Sequence, residues 1–437
     1  MRSWAAFAVS LALVISFNLF ATPAAAGAGP LRAVIVVLRD DADSDSVATE
    51  HAQRFGALVS HVYGAALRGY AARVPERLIT MLQGDPRVAF VEEDRLLWAT
   101  DFIPNTGVYR IDAEQSPTFK ATLPGPPVTT GVAIIDTGII SNHPALNVQG
   151  GYNCTGFNRK AWTDGNGHGT HVAGTVAAKY MDPPGIVGVA PGAPLWAVRV
   201  LASNGSGFLS WIVCGINWVA NNASANKIKV ANMSLGGSGA DDGNCGTKNN
   251  DSMHKAICNA VTKGVTFVAA AGNDAKDFKT FTPAAYDEVL TVTAMADYDG
   301  LPGAAYTGAT CGGNPDDTAA GFSNWTTPAS TLGSDETHTI AAPGVCVTST
   351  YLNNLNNGYA TGSGTSFASP HVAGTVALCI SSGKCTGAPA DVIQTLRTDA
   401  DPNSPNPKVT PYYGFKGDPN SPVPGRYYGY LVYAGGY

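Results

Sequence analysis

Three side chains that together can activate an alcohol lie far apart in this chain, in the order acid, imidazole, hydroxyl: Asp136, His168 and Ser366. A nucleophilic serine must lose its proton near neutral pH. An imidazole has to take that proton, and a carboxylate has to hold the imidazole in the correct tautomer. Asp136 directly follows the apolar run Val132-Ala133-Ile134-Ile135. His168 stands in Gly167-His168-Gly169-Thr170-His171-Val172-Ala173-Gly174, where small residues let neighbours approach the ring. Ser366 stands in Gly364-Thr365-Ser366-Phe367-Ala368-Ser369-Pro370-His371-Val372-Ala373-Gly374. A helix starting there offers backbone N–H groups to an anion. Each residue alone has a plainer reading, as a loop-starting Asp, a surface His or an N-cap Ser. A metal reading of His168 and His171 lacks the Glu of a His-Glu-x-x-His motif.

The elements needed to position these residues are legible as alternating strands and helices. Apolar runs at 132–135, 195–201, 228–235, 265–271 and 289–295 read as strands buried on both faces. Helical patterns fall at about 168–178, 208–220 and 250–263 between them. The fold expected is α/β, a mostly parallel sheet flanked by helices on both faces. Ligands of such sheets gather at the carboxyl ends of the strands, where Asp136 falls. Residues from about 31 to 99 read as a smaller α+β unit in the order β-α-β-α-β, a split βαβ domain. The Tyr-rich end, Tyr427 to Tyr433, reads as a strand pair packed on the surface.

Composition narrows the class. Apolar residues make up 45% and charged ones 14%, which argues against disorder. A net charge of -6 offers no broad attraction to nucleic acid or anionic lipid. Arg2, the apolar stretch Ala5 to Ala21 and the small residues Ala24-Ala25-Ala26 read as a secretory signal over residues 1–26. The chain is therefore expected to be secreted and free of the membrane once that segment is removed. All eight cysteines lie at or after Cys154, an even set that suits disulfides in an exported chain. Cys379 and Cys385 are close enough for a local loop, and the other pairings stay open. No Cys-x-x-Cys pair speaks for zinc.

The motifs around Asp136, His168 and Ser366 resemble those of the subtilisin-like serine proteases, the subtilases, and of their proteinase K-like branch. Ala190-Pro191-Gly192-Ala193, Ser234-Leu235-Gly236-Gly237 and Ala270-Ala271-Gly272-Asn273 extend the resemblance over about Gly131 to Ser381. It implies a serine endopeptidase acting on proteins through an acyl-enzyme, with Asp136, His168 and Ser366 as triad. Asn273 is implied as an oxyanion donor. Ser234, Leu235 and Gly236 are implied as an edge for extended substrate, and Ala270, Ala271 and Gly272 as the facing wall. Small walls without an acidic side chain point to an apolar or aromatic residue before the scissile bond. Residues 27–99 resemble an inhibitory chaperone propeptide, removed by self-cleavage near Trp98 to Asp101, leaving 100–437 as the catalytic domain. A monomer is expected, with the propeptide as its intramolecular inhibitor and no cofactor in catalysis. Structural Ca2+ is implied without nameable ligands, because Thr339 stands where some relatives carry an Asp. Phe367 replaces the Met that often follows the nucleophile.

Overall fold

The structure is a computed structural model that describes residues 31–64, 67–93, 106–122, 128–180, 186–304, 306, 308, 311–328, 335–353, 355, 357–410 and 413–437. The signal reading of 1–26 and the cleavage reading at Trp98 to Asp101 lie outside the described residues. The chain divides into two compact units, Met1–Thr100 and Asp101–Tyr437.

The first unit runs β1 (Leu31–Leu38), α1 (Ser44–Phe55), β2 (Leu58–Tyr63), β3 (Gly69–Pro75), α2 (Ile79–Gln83) and β4 (Val88–Glu93). Its strands form one sheet in the order β2-β3-β1-β4. This is the split βαβ arrangement with one strand more than the sequence reading gave. The missed strand, β2, is mostly exposed, and Leu58 is 60% open to solvent. It shows no apolar alternation to read. Asp43 caps α1 by accepting from the Ser46 N–H, and Gly56 ends it in the left-handed region.

The second unit opens with two short helices, α3 (Thr106–Arg110) and α4 (Pro117–Ala121). It continues with β5 (Gly131–Asp136), β6 (Val148–Asn153), α5 (His168–Ala177), β7 (Leu195–Arg199), α6 (Leu209–Asn222), β8 (Ile228–Met233), β9 (Gly237–Ser238), α7 (Ser252–Val261), β10 (Thr266–Ala270), β11 (Phe281–Thr282), β12 (Val289–Ala296), β13 (Thr318–Ala319), β14 (Thr339–Pro343), β15 (Val347–Tyr351), β16 (Gly358–Gly362), α8 (Thr365–Ser381) and α9 (Pro389–Ala400). An eight-stranded sheet runs β13-β12-β10-β8-β5-β7-β6, with β14 also paired to β12. Every pairing is parallel except that of the short β13.

Side chains of β5 alternate between two cores. Val132 and Ile134 pack with Val172 of α5 and Val372 of α8, while Ala133 and Ile135 pack with Ile216 of α6 and Ile257 of α7. Burial on both faces explains the uninterrupted apolar runs. The Tyr-rich end does not pair with itself. Ala341 of β14 donates to the Tyr430 carbonyl, and Val432 donates back to the Ala341 carbonyl. The free edge of β14 takes up the tail, and Tyr428, Leu431 and Val432 are buried. Four disulfides join Cys154 to Cys214, Cys245 to Cys258, Cys311 to Cys346 and Cys379 to Cys385. Among the described residues no helix is long and apolar enough to cross a membrane.

Candidate active site

Asp136 is the last residue of β5 and is fully buried. Its carboxylate meets His168 Nδ1 at 2.8 and 3.0 Å, and Oδ1 also accepts the Thr137 N–H at 2.7 Å. A carboxylate can only accept there, so Nδ1 carries hydrogen and neutral His168 keeps its lone pair on Nε2. His168 opens α5 with about a quarter of its side chain exposed. Gly169 makes the approach possible, because a Cβ at that position would run into the Gly138 carbonyl.

A second carboxylate, not singled out from the sequence, organises both segments. Asp164 is buried and accepts from Thr137 Oγ1, the N–H groups of Asn166, Gly167 and Thr170, and Thr170 Oγ1. Burial is the largest influence on His168 and pushes its pKa down. The charge and hydrogen bond of Asp136 and the charge of Asp164 together outweigh it, leaving the ring above its ordinary 6.5.

Ser366 lies in the first turn of α8, and its hydroxyl donates to the Ser234 carbonyl at 3.2 Å. Its backbone N–H has no hydrogen-bond partner among the described residues. Pro370 sits four residues on and has no N–H to give the Ser366 carbonyl. Ser234 Oγ donates to that carbonyl instead, at 2.7 Å. The same hydroxyl accepts from Asn232 Nδ2, whose Oδ1 accepts from Ser369 Oγ. Asn232, an interior polar residue of β8, thus anchors the start of α8.

Asn273 follows β10. Its Oδ1 accepts from the Thr365 N–H and hydroxyl, which turns its NH2 toward Gly364 and the start of α8. A cleft of about 460 Å³ is lined by His168, Ser234, Leu235 and Gly236, together with Thr137 and the loop Gly205-Ser206-Gly207. Ala270, Ala271 and Gly272, which lead into Asn273, are buried and are not among the residues lining that cleft. A Cβ on either Gly236 or Gly272 would meet the Phe281 ring, so this ring stands against both segments. Its contact was not legible in the sequence.

His171 does not join His168 in a metal pair. Its Nε2 donates to the carbonyl of Val347, with that of Ala360 at 3.1 Å. Neither histidine belongs to the groups of potential ligands among the described residues. Of those groups, Asp297, Asp299 and Asp316 alone form an all-oxygen set of the kind Ca2+ takes, and Arg110 Nε stands 3.7 Å from Asp297 Oδ1.

Phe367 packs over His171 at 4.3 Å and lies 5.5 Å from the ring of His168. His371 is buried, and its Nδ1 donates to the Phe367 carbonyl. Burial pushes His371 down to about 4. Unfolded, that ring takes a proton near 6.5, so between pH 4 and 6.5 the unfolded chain binds more protons and stability rises with pH. Relative to His371→Gln, the parent protein is expected to lose about 2–3 kcal/mol between pH 7 and pH 4. Urea unfolding of both chains at the two pH values measures this, and parallel pH dependences would contradict it.

Comparison with known proteins places this geometry. A family model for the subtilase family of S8 peptidases matches residues 129–417. Subtilisin NAT of Bacillus subtilis subsp. natto is 36% identical over 315 residues, covering 71% of this chain and 70% of that protein. An extracellular serine proteinase of Thermus sp. strain Rt41A is 35% identical over 359 residues, covering 80% of this chain and 74% of that one. The crystal structure of a cold adapted subtilisin-like serine proteinase superposes with a TM-score of 0.51 at 28% identity, over 77% of this chain and 99% of that chain. With its parallel sheet, its Asp136–His168 pair and these relatives, the chain belongs to the subtilase family and is a serine endopeptidase.

Proposed function

We propose that this is a secreted endopeptidase in which Ser366 is the nucleophile, His168 the general base and Asp136 its orienting partner. The observation that carries this reading is the Asp136 carboxylate on Nδ1 of the cleft-lining His168, which leaves Nε2 free to accept a proton. For the reaction the Ser366 hydroxyl has to leave the Ser234 carbonyl and donate to His168 Nε2. Resting sites commonly show such loose geometry. Oγ then attacks the scissile carbonyl as its proton passes to Nε2. The carbonyl oxygen becomes an oxyanion between the Ser366 N–H and the Asn273 amide. Collapse expels the amine, which takes the proton from His168 and leaves an acyl-enzyme. Water, deprotonated by His168, attacks the ester; the acyl C–Oγ bond then breaks, His168 returns the proton to Oγ and the carboxylic acid product leaves.

Extended substrate pairs along Ser234, Leu235 and Gly236 by strand addition. Small residues at Ala270, Ala271 and Gly272, with the Phe281 ring beside them, support an apolar or aromatic residue before the scissile bond. Residues 27–99 act as an intramolecular inhibitor until self-cleavage, and export follows from the leading segment and from relatives named as extracellular. No cofactor takes part in these steps. Any Ca2+ is structural, with Asp297, Asp299 and Asp316 as its acidic candidates.

A fluorophosphonate probe tests the assignment, since labelling should map to Ser366. Inhibition by chelator without serine labelling would instead indicate a metal-dependent hydrolase. Asn273→Ala is expected to lower kcat by about 10²–10³ with little change in KM, the loss measured for such a donor in subtilisin. An unchanged kcat would remove Asn273 from the oxyanion site.

A further inference from the structure

β12 and β14 are parallel neighbours, with Thr291 opposite Thr339. Residues just ahead of them therefore meet at the amino-terminal edge of the sheet. Asp287 stands two residues before β12, and His338 immediately before β14. His338 is 1% exposed. Its Nδ1 lies 2.9 Å from the Val289 carbonyl, which can only accept, so this nitrogen carries hydrogen. In the neutral ring the lone pair is then on Nε2. That atom is buried with no hydrogen-bond partner among the described residues, and it faces Asp335 Oδ1 at 3.7 Å and Asp287 Oδ1 at 3.8 Å.

Those separations decide the chemistry. A ring N–H bonded to a carboxylate needs about 2.7–3.2 Å, so neither contact is a hydrogen bond. Ligands at about 2.0–2.2 Å on a tetrahedral zinc ion stand about 3.4 Å apart, close to what is found here. A backbone carbonyl on the second ring nitrogen is the arrangement by which metal-binding histidines are oriented. Asp335 and His338 share a single 3₁₀ turn, in which side chains three apart eclipse one another. Thr326 Oγ1 donates to Asp335 Oδ2, opposite the oxygen that faces His338. The Asp287 side chain is 60% exposed, which leaves the group open to an arriving ion.

We propose that Asp287, Asp335 and His338 bind a divalent transition ion of the zinc type. One imidazole nitrogen and two carboxylates form a mixed donor set that suits zinc, whereas calcium takes oxygen alone. The site lies at the opposite ends of the strands from Asp136, which ends β5, and Asn273, which follows β10. The ion is therefore a clamp between the entries to β12 and β14 and touches no reacting group.

The test titrates the chelator-stripped full chain with zinc chloride, by calorimetry and thermal unfolding, beside Asp287→Asn and Asp335→Asn. The exposed position of Asp287 makes the first variant safe for folding. The parent chain is expected to bind one zinc equivalent that both variants lose or hold at least about 100-fold more weakly. At about a hundredfold excess over Kd, zinc should raise the parent Tm by about 3 °C or more above any rise in the variants. Calcium at the same concentration should leave that difference unchanged. Equal zinc stoichiometry, affinity and Tm response in parent and Asp287→Asn would overturn the proposal. So would calcium binding lost in both variants where zinc binding is not.

Discussion

Ser366→Ala lowers turnover on a peptide ester or protein substrate by about 10⁶-fold, the scale of losing a nucleophile whose partners act as one unit. The residual rate comes from binding and from the oxyanion donors, which the substitution leaves in place. The same change blocks maturation if the enzyme cuts its own chain. N-terminal sequencing of the secreted product should find a start near residue 100 in the parent and an uncut leading unit in the variant. A variant that still matures alone and retains activity would remove Ser366 from the chemistry. The fold should survive, because Ser366 contributes its carbonyl to Ser234 through the backbone and its hydroxyl makes one bond of 3.2 Å.

The second large effect is expected from Asp136→Asn, a loss in kcat of about 10⁴-fold. Asp136 accepts at His168 Nδ1, and an amide there no longer dictates which ring nitrogen carries the proton. Its charge also holds His168 above 6.5, against the downward push of burial. In the parent the base form of His168 therefore grows as pH rises through a value above 6.5, and kcat/KM rises with it. In the variant the midpoint should move to lower pH while the plateau falls. A pH–rate profile of both enzymes checks this. An unshifted midpoint would mean that the titration seen belongs to another group.

Much of this site could be read from the chain because its parts are local. Asp136, His168, Asn273 and Ser366 each sit in a short run of small residues at the end of an apolar strand or the start of a helix. Most of the sheet was legible for a related reason, since strands covered on both faces are largely apolar even where they bury an Asn232 or a Thr291, whereas β6, with Gly150 and Gly151 inside it, shows no such run. What escaped reading depends on long-range contact. Asp164 gathers five donors, yet in the sequence it is one Asp before a glycine. The chain of bonds from Ser369 through Asn232 to Ser234 joins residues 137 apart, and no periodicity announces it. The exposed β2 shows no alternation, and the Tyr-rich tail looked like a hairpin because the free edge of β14 is invisible in a linear string.

The bond from Ser234 to the Ser366 carbonyl spans 132 residues, and the sheet that carries Asp136 is almost wholly parallel. Parallel strands return only after a crossover, so such topologies close late and fold slowly. A nascent or half-collapsed molecule thus holds the parts of a hydrolase without the tool, and it endangers neither itself nor its neighbours. Catalytic competence arrives as a report that the whole architecture has closed.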